Sequence, residues 1–470
     1  MYYGEKKIPR GLVNAVILYL LYCLLFTPNF LITVPVALFP LLAFRLFWVD
    51  KHPNVLFFGM MIQWMSASLQ LLYCNVLRVT LEEKMRVSSF PAYTMEYATF
   101  LSIIALYFFS LGLFVKIRKL KVEDIFEAFN NYSARNILLA YIIFSAIVYF
   151  TSGLIWKYQS VVQYIFFFFY IKWGLFLVAF YAVHKIDRRL RNLFYLIVLI
   201  EFLLSLVSYF ASSFLNIIFF MLIGLITIQP KLNLRSYFFL LIFGVFIFHI
   251  GVLWTAVKGD YRSFISGGTT AQTVTVSRNE SFNKLIDLLK NVDDTKYKAA
   301  IEQTIDRLGY IQFFAASLDY VPRVVPYQNG QIYLEAVEHY LVPRFLNPNK
   351  AVLDDSKHVN QYTGLRVTTS EGGASFSLGY VADAYIDFGP VFMFTVIFAF
   401  GYLCGIFYNY LFKRSPNQVW VWIFTGPFFL LINVYGADTK KALGFILIYF
   451  ITVAVLKNFL IKRVDPFIRA

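Results

Sequence analysis

Apolar runs of bilayer length recur from one end of the chain to the other, separated by short polar turns. They cover about 12–27, 30–48, 54–77, 96–115, 137–156, 161–184, 192–210, 213–228, 236–256, 390–412, 418–435 and 442–461. One long stretch departs from this pattern. Residues 258–388 are polar, mixed in charge and rich in turn residues. The pattern predicts an all-α polytopic membrane protein with about 12 transmembrane helices and one large external loop containing amphipathic helices. It divides the chain into helices 1–9 over 1–257, the loop over 258–388, and helices 10–12 over 389–470.

Periodicity returns inside the loop. Ile301, Ile305, Leu308, Ala315 and Leu318 form one apolar stripe, which predicts a single helix over Lys298–Tyr320 lying on the bundle mouth or the membrane surface. A second amphipathic stretch runs from Ile332 to Leu341 and stops at Pro343. Ser266–Asn279 and Gly364–Gly379 are rich in Gly, Ser and Thr and read as irregular. Asp383 and Asp387 lie on the helical approach to the tenth run, where acids suit a helix N-terminus. Lys172 and Glu201 fall near the middles of consecutive antiparallel runs, an arrangement that suits an ion pair. Asp438-Thr439-Lys440-Lys441 reads either as a solvated turn or as a charged turn set beside the large loop.

Charge fixes the expected orientation. The chain carries a net charge of +15, which by itself suggests nucleic acid. The loop, however, has 13 Lys and Arg against 15 Asp and Glu. The basic excess sits in short turns such as Lys116–Lys121 and Lys185–Arg191, on alternate sides of the expected spans. This is the positive-inside pattern, so both termini and these turns are expected in the cytoplasm and no nucleic-acid partner is implied. Only 15% of residues are charged, against about 25% in soluble domains. The first apolar run lacks a small-residue cleavage site. Cys23, Cys74 and Cys404 all lie in apolar runs, so no disulfide framework is expected in the loop, and no Cys/His spacing suggests a metal.

The loop supplies two kinds of chemistry. Arginine and lysine bind phosphate oxygens through charge-assisted hydrogen bonds, and arginine can do so bidentately. A carboxylate or histidine can take a proton from an attacking hydroxyl. An inverting sugar transfer needs one such base and stabilisation of the leaving group, with no cofactor and no metal.

The segments Lys258-Gly-Asp-Tyr-Arg262, Val342-Pro-Arg344-Phe with Pro348 and Lys350, Ser375-Phe-Ser-Leu-Gly379 and Asp383-Ala-Tyr-Ile-Asp387-Phe-Gly389 resemble the O-antigen polymerase (Wzy-type oligosaccharide repeat unit polymerase) family. The plan of many spans with one large late external loop is similar too. The chain departs from the family pattern at Lys350-Ala351, where Lys-Pro is common, and at Asp383, where glutamate is common. The resemblance implies a transferase in the bacterial inner (cytoplasmic) membrane that joins undecaprenyl-diphosphate-linked oligosaccharide repeat units into a surface polysaccharide. It implies Arg262, Arg307, Arg344 and Lys350 as diphosphate-binding residues and His358, Glu371 or Asp383 as catalytic groups. Implied partners are the lipid-linked oligosaccharide, membrane lipid, a chain-length regulator and a flippase. An O-antigen ligase-like glycosyltransferase and a polysaccharide or lipid transporter are the alternatives. A transporter is expected to show repeat symmetry and broken helices at the midplane, and neither is evident in the sequence.

Overall fold

In a computed structural model the described residues are 1–85, 90–123, 127–151, 162–206, 212–228, 234–268, 274–341, 354–367 and 376–469. Their regular structure is helical, and the only extended pairing among them is an isolated bridge between Tyr2 and Lys121. In chain order the helices are α1 (Arg10–Phe26), α2 (Phe30–Phe47), α3 (Val55–Leu77), α4 (Leu81–Met85), α5 (Met95–Ile117), α6 (Ala134–Thr151), α7 (Val162–Phe169), α8 (Ile171–Lys185), α9 (Arg191–Leu206) and α10 (Ser212–Ile228). They continue with α11 (Leu234–Ile265), α12 (Arg278–Lys290), α13 (Asp294–Leu308), α14 (Ile311–Tyr320), α15 (Gln331–Leu341), α16 (Asp355–Thr363), α17 (Tyr380–Arg414), α18 (Gln418–Thr425), α19 (Phe428–Leu431) and α20 (Thr439–Arg469).

Each apolar run of the sequence carries helix. Among the described residues seven helical stretches are long and apolar enough to cross a membrane: Phe30–Phe47, Val55–Leu77, Ala92–Ile117, Ala134–Thr151, Tyr164–Lys185, Tyr380–Arg414 and Thr439–Arg469. Such a set of apolar helices needs lipid as its solvent, and the protein is an α-helical polytopic membrane protein.

Several helices differ from the expected ones, among them the run 161–184, which is two helices, α7 and α8. The run 418–435 is not one rod, because α18 ends at Thr425 and the four-residue α19 restarts behind Pro427, which has no N–H to continue the ladder. The tenth run starts earlier than its hydropathy suggests. α17 begins at Tyr380 and kinks at Gly389, whose φ of 71° is open to glycine and suits the residue preceding Pro390. The expected helix over 298–320 is two helices, α13 and α14, broken at Gly309 and Tyr310. Ile305 and Ala315 of the stripe are buried, but Leu308 at the break is exposed.

The centre of the bundle is the pair α5 and α17. Gly401 and Gly405 of α17 face α5, and Gly112 of α5 faces α17. A Cβ at Gly401 would overlap the Phe109 carbonyl, one at Gly112 would overlap the Phe398 carbonyl, and one at Gly405 would sit 2.7 Å from the Leu113 oxygen. Small residues at i and i+4 let the two backbones touch, which is how helices gain dispersion contacts in lipid. A second close approach puts Gly174 of α8 against the Ile423 backbone of α18. Between α8 and α9 the expected ion pair forms, with Lys172 Nζ 2.7 Å from Glu201 Oε2.

Candidate functional site

The polar segment and the start of the last helix meet at one place. α16 opens with Asp354, whose side chain accepts from the Ser356 N–H at 3.2 Å, and closes at Gly364 in the left-handed conformation. One turn into this short helix, His358 Nε2 lies 2.7 Å from Oδ1 of Asp383, in the first turn of α17. The other oxygen of Asp383 accepts the backbone N–H of Thr439 at 2.7 Å, at the start of α20. A carboxylate only accepts, so Nε2 carries the hydrogen of the neutral ring and Nδ1 presents its lone pair. Asp383 therefore orients a histidine, as a residue that supports a general base does.

The surroundings of this pair are acidic and buried. Asp355 is 4% exposed, Asp383 1% and Asp438 5%. Lys441 pairs with Asp355 Oδ2, Lys440 Nζ pairs with Glu335 Oε2 at 2.9 Å, and Asp438 Oδ1 accepts the Lys441 N–H at 2.8 Å. The 438–441 turn is thus packed against the loop helices, and its reading as a plain solvated turn is overturned. Burial alone pulls the His358 pKa down, but the adjacent Asp383 carboxylate outweighs it and Asp438 adds to it, so the net shift is upward from the ordinary histidine value. Burial, with Asp355 and Asp383 nearby, pushes Asp438 up to about 6. Asp355 Oδ1 and Thr439 Oγ1 are buried without a hydrogen-bond partner among the described residues.

Beside the acids lies a group of cations. Lys258 and Arg262 sit in the polar last turns of α11, beyond its apolar stretch, and Arg307 sits in the last turn of α13. Burial pulls the Lys258 pKa down to about 7, with Arg307 and then Arg262 adding to the shift. No carboxylate among the described residues forms a salt bridge with Lys258 or Arg307. Tyr310 lies near members of both groups. Burial raises its pKa, and its hydroxyl also feels the charges of Arg307, Asp355 and Lys441. Tyr310 thus lies within electrostatic range of Arg307 among the cations and of Asp355 and Lys441 beside the acids.

Of the residues expected from the sequence, His358 and Asp383 are brought into contact, and Arg262 and Arg307 are brought together around Lys258. Arg344, Lys350 and Glu371 lie outside the described residues. Asp387 does not serve the N-terminus of its own helix. It accepts the N–H groups of Ile332 at 3.2 Å and Tyr333 at 3.1 Å, and so caps α15. Sequence reasoning missed Asp355, as it missed the helix α16 that Asp355 opens, and gave no partner for Asp438. Among the described residues no group of three or more His, Cys, Asp or Glu side chains is placed to hold a metal ion.

No curated protein and no solved structure matches the chain. A family described as a domain of unknown function (DUF8712) matches residues 54–431, most of the chain, and the protein belongs to that family.

Proposed function

We propose that this protein is a membrane glycosyltransferase that polymerises lipid-diphosphate-linked oligosaccharide repeat units. The observations that carry the reading are the oriented His358–Asp383 pair and the cluster of Lys258, Arg262 and Arg307. A base for a sugar hydroxyl and a cradle for a diphosphate are the two things that an inverting transfer from such a carrier requires. In the proposed step a hydroxyl of the incoming unit gives its proton to His358 Nδ1 and its oxygen bonds to the anomeric carbon of the growing chain. The bond from that carbon to the diphosphate oxygen breaks, and its electron pair leaves with the lipid diphosphate. The three cations stabilise the charge gathering there. Arg344, Lys350 and Glu371 stay candidates for the same site by resemblance.

The reading carries a topology: 12 spans, both termini in the cytoplasm, and 258–388 on the outer face of a bacterial inner membrane. The carrier is then undecaprenyl diphosphate, and a flippase and a chain-length regulator are its natural partners. Single cysteines at Asn283 and Lys119, both exposed, test the sidedness. An impermeant thiol reagent applied from outside labels Asn283→Cys and spares Lys119→Cys; the reverse overturns the topology. The activity is tested by deleting the chain and extracting surface polysaccharide and lipid-linked sugars. Single repeat units on lipid accumulate and polymer disappears if the reading is right. Polymer of unchanged length in the deletion strain sinks it.

A further inference from the structure

The helix α12 carries two different flanks. Its buried side, with Ser281 and Leu285, packs with Val257, Tyr261 and Ile265 of α11 as a small core separate from the main one. Arg278, Phe282, Ile286 and Leu289 recur at helical steps along one edge of that side. Glu280, Lys284 and Asp287 recur along the opposite edge. Phe282 is 41% exposed, although it is a large aromatic.

The apolar edge has a fixed position relative to the bundle. The Arg278 guanidinium lies over the Tyr149 ring, 4.9 Å from its centroid, near the end of α6. α6 is one of the membrane-crossing helices, and Leu139, Ile143, Ile147 and Phe150 form its exposed apolar stripe. An aromatic next to the end of a span marks the headgroup level, where Tyr and Trp concentrate and an arginine can reach phosphate. The first turn of α12 is therefore held at the membrane boundary, with its apolar edge on the side of Tyr149.

We propose that α12 is an interfacial helix, with Phe282 and Ile286 set into the boundary between headgroups and acyl chains and Glu280, Lys284 and Asp287 turned to water. Its partner is the lipid leaflet itself. A helix that buries one edge to this depth is a surface anchor and does not span. The anchor holds the α11–α13 unit, and with it Lys258, Arg262 and Arg307, close to the membrane boundary. The inference rests on contacts and exposure, so it stands whichever side of the membrane the loop occupies and whatever reaction the protein performs.

The test uses the full chain in lipid nanodiscs, with the three buried native cysteines replaced and an environment-sensitive fluorophore attached at Phe282→Cys or at Asp287→Cys. Lipids carrying a nitroxide near the headgroup are the quencher. The expected result is blue-shifted emission from position 282 that loses most of its intensity to the nitroxide lipid, with water-like, unquenched emission from position 287. Water-like and unquenched emission at both positions overturns the proposal. Equal quenching at both also overturns it, because the helix is then immersed and not lying on one edge. Thermal unfolding of both labelled proteins, compared with the unlabelled chain, checks that each reading comes from folded protein.

Discussion

The seam between α5 and α17 and the knot around His358 are both buried, yet they are built on opposite principles. At the seam, backbones meet through Gly112, Gly401 and Gly405, and Asn409 of α17 adds one hydrogen bond, to the Lys116 carbonyl of α5 at 2.6 Å. At the knot, acids on α16, on α17 and before α20 are paired with His358 and Lys441, and Asp355 Oδ1 and Thr439 Oγ1 are left unsatisfied among the described residues. Burying an unsatisfied polar atom costs about 1–3 kcal/mol, so the knot is poorly optimised for stability. Ser102 Oγ of α5 and Thr452 Oγ1 of α20 are also buried without a partner among the described residues, so this cost alone does not mark a site. The contrast is between glycines that let two backbones touch and charged groups buried together around one histidine.

The comparison breaks first at the seam. Gly401→Val puts a branched side chain into the Phe109 carbonyl, and backbone cannot yield as a side chain can. The expected cost is roughly 3 kcal/mol or more, read as loss of folded protein from the membrane and a lower melting temperature in detergent. Normal abundance and stability of the Gly401→Val protein would show that the helices are not in contact there.

At the knot the effects on stability are smaller. Asp355→Ala leaves the Lys441 ammonium without its partner. Breaking a fully buried pair costs about 3–5 kcal/mol, but Lys441 is partly solvated, which reduces the expected loss to about 1–2 kcal/mol. Asp387→Ala removes the acceptor for the Ile332 and Tyr333 N–H groups and should cost about 1 kcal/mol, the usual worth of a cap. Its effect on activity should follow its effect on stability, since both of its oxygens are taken up in capping α15. A folded Asp387→Ala protein without activity would move that residue into the site.

The gentlest probe is pH. The folded pKa of His358 is raised, so the ion pair adds stability that is complete below the unfolded histidine value of about 6.5 and is lost as pH rises through the folded value. A base works in its neutral form, so activity has the opposite dependence and climbs through that same raised pKa. Asp383→Asn removes the charge that raises it, and burial then shifts the climb to lower pH. A climb that Asp383→Asn leaves in place would assign it to another group.

Much of this was legible along the chain, for reasons that differ by region. The apolar runs gave most of the helices to within a few residues, because bilayer-length hydrophobicity is a property of consecutive residues. The Lys172–Glu201 pair was legible because consecutive antiparallel runs bring their midpoints together. Breaks at Gly309-Tyr310 and behind Gly426-Pro427 were missed, since hydropathy does not register a change of axis within an apolar stretch. The site was half legible. His358 and Asp383 were singled out separately, but their contact, and that of Asp383 with Thr439, joins positions far apart in the chain. Only the packing of α16, α17 and α20 around one point shows that the 438–441 turn belongs with them.

The central claim is that His358, oriented by Asp383, is the base of a sugar transfer. The most direct test follows chain elongation in membranes prepared from a producing strain and supplied with its own lipid-linked repeat units. Wild type is compared with His358→Ala at equal protein level and equal thermal stability. Losing a positioned base should slow elongation by about 100- to 10,000-fold, leaving single repeat units on the carrier. Elongation at the wild-type rate by folded His358→Ala protein would contradict the account.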